Sequence, residues 1–166
     1  MKRRELERLY DEHAPALFRL GMVLLRHEPS VQDVLQEIFA KLAKGRGRWT
    51  SPETERAYLL QMVRRAAIDL SRREKVRREH AERHRRDPIF ERSEDPDREA
   101  FRERLEVALM ALPEEQRIVT VLKLWEERTF EEIATICEIS PHTAASRYRY
   151  AIDKLRHHLR PLYEEL

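Results

Sequence analysis

The chain has 166 residues, 39% of them charged and 41% hydrophobic, with 3 glycines, 8 prolines, 1 cysteine and a formal net charge of +2. That length holds one ordinary domain or two small ones, and scarce glycine with abundant Leu, Ala, Glu and Arg points to an all-α protein with short connections. A single cysteine excludes a disulfide framework and a cysteine metal cluster, and no apolar run approaches the roughly 18 residues that span a bilayer, so no membrane insertion is expected.

The opening MKRRELERLY has basic residues but no apolar stretch behind them, so it does not read as a secretion signal, and a cytoplasmic location is expected. Leu6, Leu9, Tyr10, Leu17, Leu20, Val23 and Leu24 recur at helical spacing and predict a long first helix, with Pro15 as a kink or restart. Pro29 opens a second helix whose core positions are Val31, Val34, Leu35, Ile38 and Leu42. Asp33, Gln36, Glu37 and Phe39 fall outside that set. An aromatic among acids and an amide suits a protein contact, although Phe39 serves equally well as one more core residue. Gly45 to Thr50 forms a loop, and Ser51 with Pro52 starts a third helix with Tyr58, Leu59, Met62, Val63, Ala66, Ile68 and Leu70 facing inward.

From Arg64 to Arg86 there are ten bases against four acids, and from Asp87 to Glu106 eight acids against four bases. The balance turns basic again from Ser140 to Arg160, and two basic segments separated by an acidic one suggest two phosphate-facing surfaces joined by something kept off DNA. Pro88 and Pro96 bracket a polar stretch that reads as a linker. Asp95 and Pro96 cap a fourth helix carrying Phe101, Leu105, Leu109 and Leu112, and Pro113 opens a fifth with Glu114 and Glu115 at its positive end.

The most informative stretch is TFEEIATICEISPHTAASRYRYAIDKLRHHL, residues 129–159, which contains two helix starts eleven residues apart. Thr129 with Glu132 makes a capping box, and Ser140 with Pro141 makes an N-cap followed by proline at the first helical position. Between them lies a helix of about two turns, with Ile133, Ala134, Ile136 and Cys137 inward. Such a helix is too short to stand alone. The following helix carries Arg147, Arg149, Lys154, Arg156 and Arg160 against one acid, Asp153. Its first turns offer His142, Thr143, Ala144 and Ser146, small and polar side chains suited to base edges. The segment reads as a DNA-binding helix-turn-helix. There is no glycine-rich phosphate loop, nucleophile with a base or apolar carboxylate pair, so neither catalysis nor a cofactor is expected. His80 and His84 are four apart but lack a third ligand, so no metal site is expected either.

Four stretches, in order, then carry a family resemblance: LYDEHAPALFRLGMVLL, SVQDVLQEIFAKL, YLLQMVRRAAIDLSRR, and ALPEEQRIVTVLKL followed by the helix-turn-helix. The chain resembles the extracytoplasmic-function sigma factors, the smallest of the bacterial sigma superfamily, which hold only the two DNA-binding domains. The resemblance implies an N-terminal domain over 1–86, a charged linker over 87–104 and a C-terminal helix-turn-helix domain over 105–166. It further implies that Asp33, Gln36, Glu37 and Phe39 grip RNA polymerase core enzyme. Arg46, Arg48, Trp49, Arg64, Arg65, Asp69, Arg72 and Arg73 would serve the −10 element, with Trp49 open between stacking on a base and plugging the core. Ser140, Pro141, His142, Thr143, Ser146, Arg147 and Arg149 would serve the −35 element. Promoter DNA and core polymerase are the implied partners, with an anti-sigma factor as a further one.

The implied function is promoter recognition and transcription initiation; a helix-turn-helix regulator that never engages polymerase is the alternative. The chain departs from the family with Tyr58 for Trp, Arg65 for Asn, Glu138 for Gly in the turn, and Ala144 and Ala145 for Val and a basic residue.

Overall fold

The computed structural model describes residues 2–45, 49–78 and 86–164. Among them are seven helices: α1 (Arg3–Leu25), α2 (Glu28–Ala43), α3 (Pro52–Arg78), α4 (Pro96–Ala111), α5 (Glu114–Leu124), α6 (Phe130–Cys137) and α7 (Pro141–Glu164). The described residues contain no strand. The chain divides into two units, Met1–Asp87 and Pro88–Leu166.

In the first unit, α1 runs unbroken through Pro15. Pro15 and Asp11 both face solvent, where water can serve the carbonyl left without an amide partner, and the helix does not restart. The helix stops at Arg26, which adopts a left-handed conformation (φ 53°) and returns its N–H to the Met22 carbonyl. His27 then caps α2 by accepting from the Ser30 N–H. At Gly21 α1 and α2 approach closely: a Cβ there would lie 2.6 Å from Val31 Cγ1, a stiff β-branched methyl in the core.

Leu9, Leu17, Leu20 and Val23 of α1 and Val31, Val34, Leu35, Ile38 and Leu42 of α2 are buried as their spacing predicts. The inward face of α3 is not the one expected. Ala57, Leu59, Leu60, Val63 and Ala67 are buried, whereas Tyr58, Met62, Ala66, Ile68 and Leu70 are half-buried flanks. Positions at i, i+1, i+4 and i+8 form one stripe of a 3.6-residue helix, and α3 packs that stripe against both α1 and α2. Its outer face belongs to charge. A second, polar tie joins α1 to α3: Arg8 and His13 both bond the buried Glu55 carboxylate, at 2.8 and 2.9 Å.

The first unit closes on itself at Asp87. The Asp87 N–H bonds the Arg26 carbonyl (2.9 Å), its carboxylate accepts the free Glu28 N–H at the start of α2 (2.8 Å), and Arg26 Nε donates to its carbonyl. An acid here meets the positive helix end.

The second unit takes up the next residues. The Ile89 and Phe90 N–H groups both donate to Glu106 Oε1, at 2.8 and 3.0 Å, and Phe90 stacks on Trp125 with centroids 5.0 Å apart. Arg102 clamps Glu99 and Glu106 at 2.6 Å each, and Glu99 also accepts the Ser93 N–H. Asp95 caps α4 as its sequence predicts. Much of the 87–104 stretch read as a linker is thus bonded into one unit or the other.

In the helix-turn-helix, the Thr129–Glu132 capping box forms in both directions, at 2.8 and 3.2 Å. Ile133, Ala134, Ile136 and Cys137 are buried beneath it. Glu138 ends α6 with φ 59° and ψ 45°. A side chain in that left-handed well costs about 1 kcal/mol or more. Glu138→Gly is therefore expected to raise stability by about 0.5–1 kcal/mol after the added freedom of the unfolded chain is subtracted. Urea unfolding checks this; a lower midpoint would mean that the Glu138 side chain contributes more than its backbone costs.

Candidate functional site

Three surfaces emerge, each built by helix periodicity. On α2 the buried residues leave Gln32, Asp33, Gln36, Glu37 and Ala40 together on the exposed face. Lys41 bonds the Glu37 carboxylate at 2.6 Å. That hydrogen bond and its charge, with Arg73 contributing, hold Glu37 below the usual carboxylate range against the smaller pull of burial. Glu37 is therefore ionised at neutral pH and paired with Lys41.

Phe39 does not lie on this surface. It is buried at the α1–α2 seam, edge-on to the Tyr10 ring at 5.2 Å, and Tyr10 is the exposed aromatic, at 53%. Phe39 sits on the edge of the core stripe nearest α1, so burial wins over display. The sequence missed Tyr10 because it repeats in phase with the Leu positions of α1.

On α3, Arg65, Asp69, Arg72 and Arg73 are exposed, and positions 65, 69, 72 and 73 share one side of the helix; Arg64 is half-buried beside them. Trp49 is half-buried with its ring 5.9 Å from Tyr58, so it leans on α3 and is neither fully exposed nor a core plug. Arg46 and Arg48 lie outside the described residues, as do His80 and His84.

On α7, Ser140 caps the helix by accepting the Thr143 N–H at 3.0 Å. Ser140, Pro141, His142 and Arg149 are exposed, with Thr143, Ser146 and Arg147 half-buried. Arg149 lies over the Tyr150 ring at 5.3 Å. Ala144 is a correction to the expected base-facing set: it is 0% exposed. Ala144, Tyr148, Ala151 and Leu155 follow i, i+4, i+7, i+11, the face that α7 turns to the core, so a small residue there sets helix spacing rather than base contact. Arg147 lies on the flank of that face and bonds Glu115 of α5 at 2.7 Å. Glu115 precedes it by 32 residues, and no local pattern in the sequence links the two.

Four of the eight acids from Asp87 to Glu106 that suggested a free anionic tether are engaged by hydrogen bonds. Asp87, Asp95, Glu99 and Glu106 each accept hydrogen bonds within their own unit. Glu12, His13 and Glu55 bring ligand-type atoms within 4.8 Å of one another, but the Arg8 guanidinium bridges both carboxylates and already supplies the positive charge. No described helix is long and apolar enough to cross a membrane.

Two helical units, one bearing a basic helix face and the other a helix-turn-helix, define a class of bipartite DNA-reading proteins. Comparison with known proteins is consistent throughout. The family model for sigma-70 region 2 matches residues 9–77 and that for sigma-70 region 4 matches residues 102–155. The chain is 30% identical to the RNA polymerase sigma-E factor of Streptomyces coelicolor, over 93% of this chain and 86% of that one. It is 28% identical to the RNA polymerase sigma factor CarQ of Myxococcus xanthus, over 90% and 86%. Among solved structures it resembles the sigma factor RpoE of Bartonella quintana, crystallised with the anti-sigma factor NepR, with a TM-score of 0.69, 21% identity and 95% coverage of both chains. The chain belongs to the RNA polymerase sigma factors of the sigma-70 family, in the extracytoplasmic-function group.

Proposed function

We propose that the chain binds RNA polymerase core enzyme and directs it to promoters, acting as a cytoplasmic transcription initiation factor and not as an enzyme. In this reading residues 1–86 hold core polymerase and open the −10 element, residues 105–166 dock α7 in the −35 major groove, and residues 87–104 join them. The observation that carries it is the exposed face of α2. Asp33, Gln36 and Glu37 are free of the core and offer two carboxylates and an amide, of no use to a protein that only reads DNA. Phe39, on the same helix, is buried and packs edge-on against the exposed Tyr10 of α1.

The −10 surface would comprise Arg64, Arg65, Asp69, Arg72 and Arg73 with Trp49 and the neighbouring Arg46 and Arg48. The guanidinium groups would neutralise phosphates and the indole would stack on an unpaired base. The −35 surface would comprise Ser140, Pro141, His142, Thr143, Ser146 and Arg149 along the outer side of α7, with Arg147 reaching from its flank. An anti-sigma partner, as the Bartonella relative has in its crystal, belongs to the same proposal.

Gln36→Ala and Glu37→Lys test it. Each is expected to weaken core binding by about tenfold or more, close to 1.4 kcal/mol. Run-off transcription should fall while thermal unfolding and duplex DNA binding stay as in the wild type. Core affinity and promoter-dependent transcription that survive both changes would leave the alternative, a regulator independent of polymerase.

A further inference from the structure

Along one seam, the first turn of α5 meets the flank of α7. Arg147 and Lys154 are seven residues apart, so they lie on the same side of α7 two turns from each other. Each meets a side chain of α5. Arg147 Nη2 bonds Glu115 Oε2 at 2.7 Å, with the Arg147 side chain only 25% exposed and that of Glu115 66% exposed. Lys154 Nζ bonds Gln116 Oε1 at 3.1 Å. The two partners are neighbours in sequence and differ in charge. The amide of Gln116 leaves the Lys154 ammonium uncompensated, whereas the Glu115 carboxylate cancels the Arg147 guanidinium.

We propose that Glu115 is a brake on DNA affinity: a carboxylate standing in for phosphate on Arg147, which the nucleic acid backbone must displace. The inference rests on the proposal that α7 docks on duplex DNA. Arg147 lies beside the core-facing stripe of α7, not at the centre of its outer side. From that flank a side chain meets the sugar-phosphate wall of a groove before it meets base edges. Phosphate binding gains affinity by releasing condensed counterions, one for each phosphate neutralised. A guanidinium that exchanges one anion for another leaves Glu115 uncovered beside the DNA, so its net gain in charge neutralisation is close to zero. Glu115 thereby subtracts from binding that is blind to sequence, while the polar side chains on the outer side of α7 are untouched. Glu115 acts through Arg147 and has no base contact of its own.

Binding of the full-length chain to a mixed-sequence duplex, titrated across salt concentrations, tests the brake. Glu115→Gln is expected to tighten binding about two- to fivefold, the range of an exposed ion pair, and to steepen the slope of log K against log salt by up to about 0.9. Glu115→Asp should restore wild-type behaviour. Arg147→Ala should change the slope little in the wild-type background and reduce it by about 0.9 in the Glu115→Gln background. Gln116→Glu should place the same brake on Lys154 and flatten the slope. The direction of the slope change separates the brake from a structural role of Glu115, since a lost support would flatten the slope where a released brake steepens it, and thermal unfolding monitors the fold alongside.

An unchanged affinity and slope in Glu115→Gln overturns the brake while leaving the DNA reading intact. Weaker binding in Glu115→Gln also overturns it, and makes Glu115 a support that aims Arg147. Absence of duplex binding in every variant and in the wild type overturns the DNA reading together with the brake.

Discussion

Glu106→Ala is expected to destabilise the C-terminal unit by about 3–5 kcal/mol, the cost of removing one partner from a buried charged network. The Glu106 carboxylate is the shared acceptor for the Ile89 and Phe90 N–H groups and for Arg102. Its loss strands donors away from water, each at about 1–3 kcal/mol, and the terms overlap because Arg102 retains Glu99. Glu106→Gln keeps one carbonyl for the two amides but breaks the ion pair, so a smaller loss of about 1.5–3 kcal/mol is expected. Urea unfolding gives the size, and hydrogen exchange gives the place: the Ile89 and Phe90 amides should lose protection first. Protection of those amides at the wild-type level in Glu106→Ala would show that the Phe90–Trp125 stack alone holds the segment.

The same network sets an acid limit. Hydrogen bonds from Arg102, and then from the Ser93 N–H, hold the Glu99 carboxyl down at about 2, against a small opposing effect of burial. A carboxylate whose native pKa lies below its unfolded value stabilises the fold at pH above about 4.5 and loses that contribution as pH falls toward 2. The contribution of Glu99 to the dock of 88–95 on α4 is thus complete at neutral pH and begins to fade below about pH 4.5.

What was legible in the sequence follows from the range of the interactions. Caps act over three residues, and those at Asp95, Thr129 and Ser140 stand where their residue types put them. The apolar stripes of α1 and α2 likewise need only local spacing. Burial at the edge of a stripe depends on where the neighbouring helix lies, and spacing alone does not give that. So Phe39 could be placed on either side of the surface, and Ala144, small enough for a base contact, turned out to fill a helix crossing. The polar ties were the least visible. Arg8 and Glu55 are 47 residues apart, Ile89 and Glu106 are 17 apart, and charged residues make up 39% of the chain, so no pairing stands out from the rest. A composition that reads as a solvated acidic tether therefore concealed a bonded segment. The outer stripe of α3 and the exposed face of α2 were easier to find, because residues left out of a core pattern are exposed by default.

The largest effect in the N-terminal unit belongs to Glu55. Its side chain is 4% exposed, and it accepts from Arg8 at two positions, 2.8 and 3.1 Å, and from His13 Nε2 at 2.9 Å. A carboxylate is acceptor-only, so His13 donates through Nε2. Burial on its own would push the Glu55 carboxyl up, but the hydrogen bonds from Arg8 and His13 and their charges outweigh it, and the group is held below the usual carboxylate range. Glu55→Ala strips α1 and α3 of the Arg8 and His13 ion pairs across the helix interface and leaves His13 buried without its acceptor. A loss of about 3–5 kcal/mol is expected.

Glu55→Gln separates charge from shape. It retains a carbonyl for one donor, and about 1.5–3 kcal/mol should be lost at neutral pH. The sign of the pH dependence is fixed by the depressed pKa. Native Glu55 releases its proton more readily than unfolded Glu55, so its contribution is complete above about pH 4.5 and fades as pH falls through the native value. The stability difference between wild type and Glu55→Gln, followed by hydrogen exchange of α1 and α3 amides, should therefore shrink on acidification below about pH 4.5. A difference that stays constant from neutral pH down through that window would mean that packing, not the ionised carboxylate, joins α1 to α3. Because α2 and the basic stripe of α3 both rest on this interface, Glu55→Ala should also weaken core polymerase binding without altering any residue of the α2 face. Glu55→Gln, which preserves the geometry, should weaken it far less.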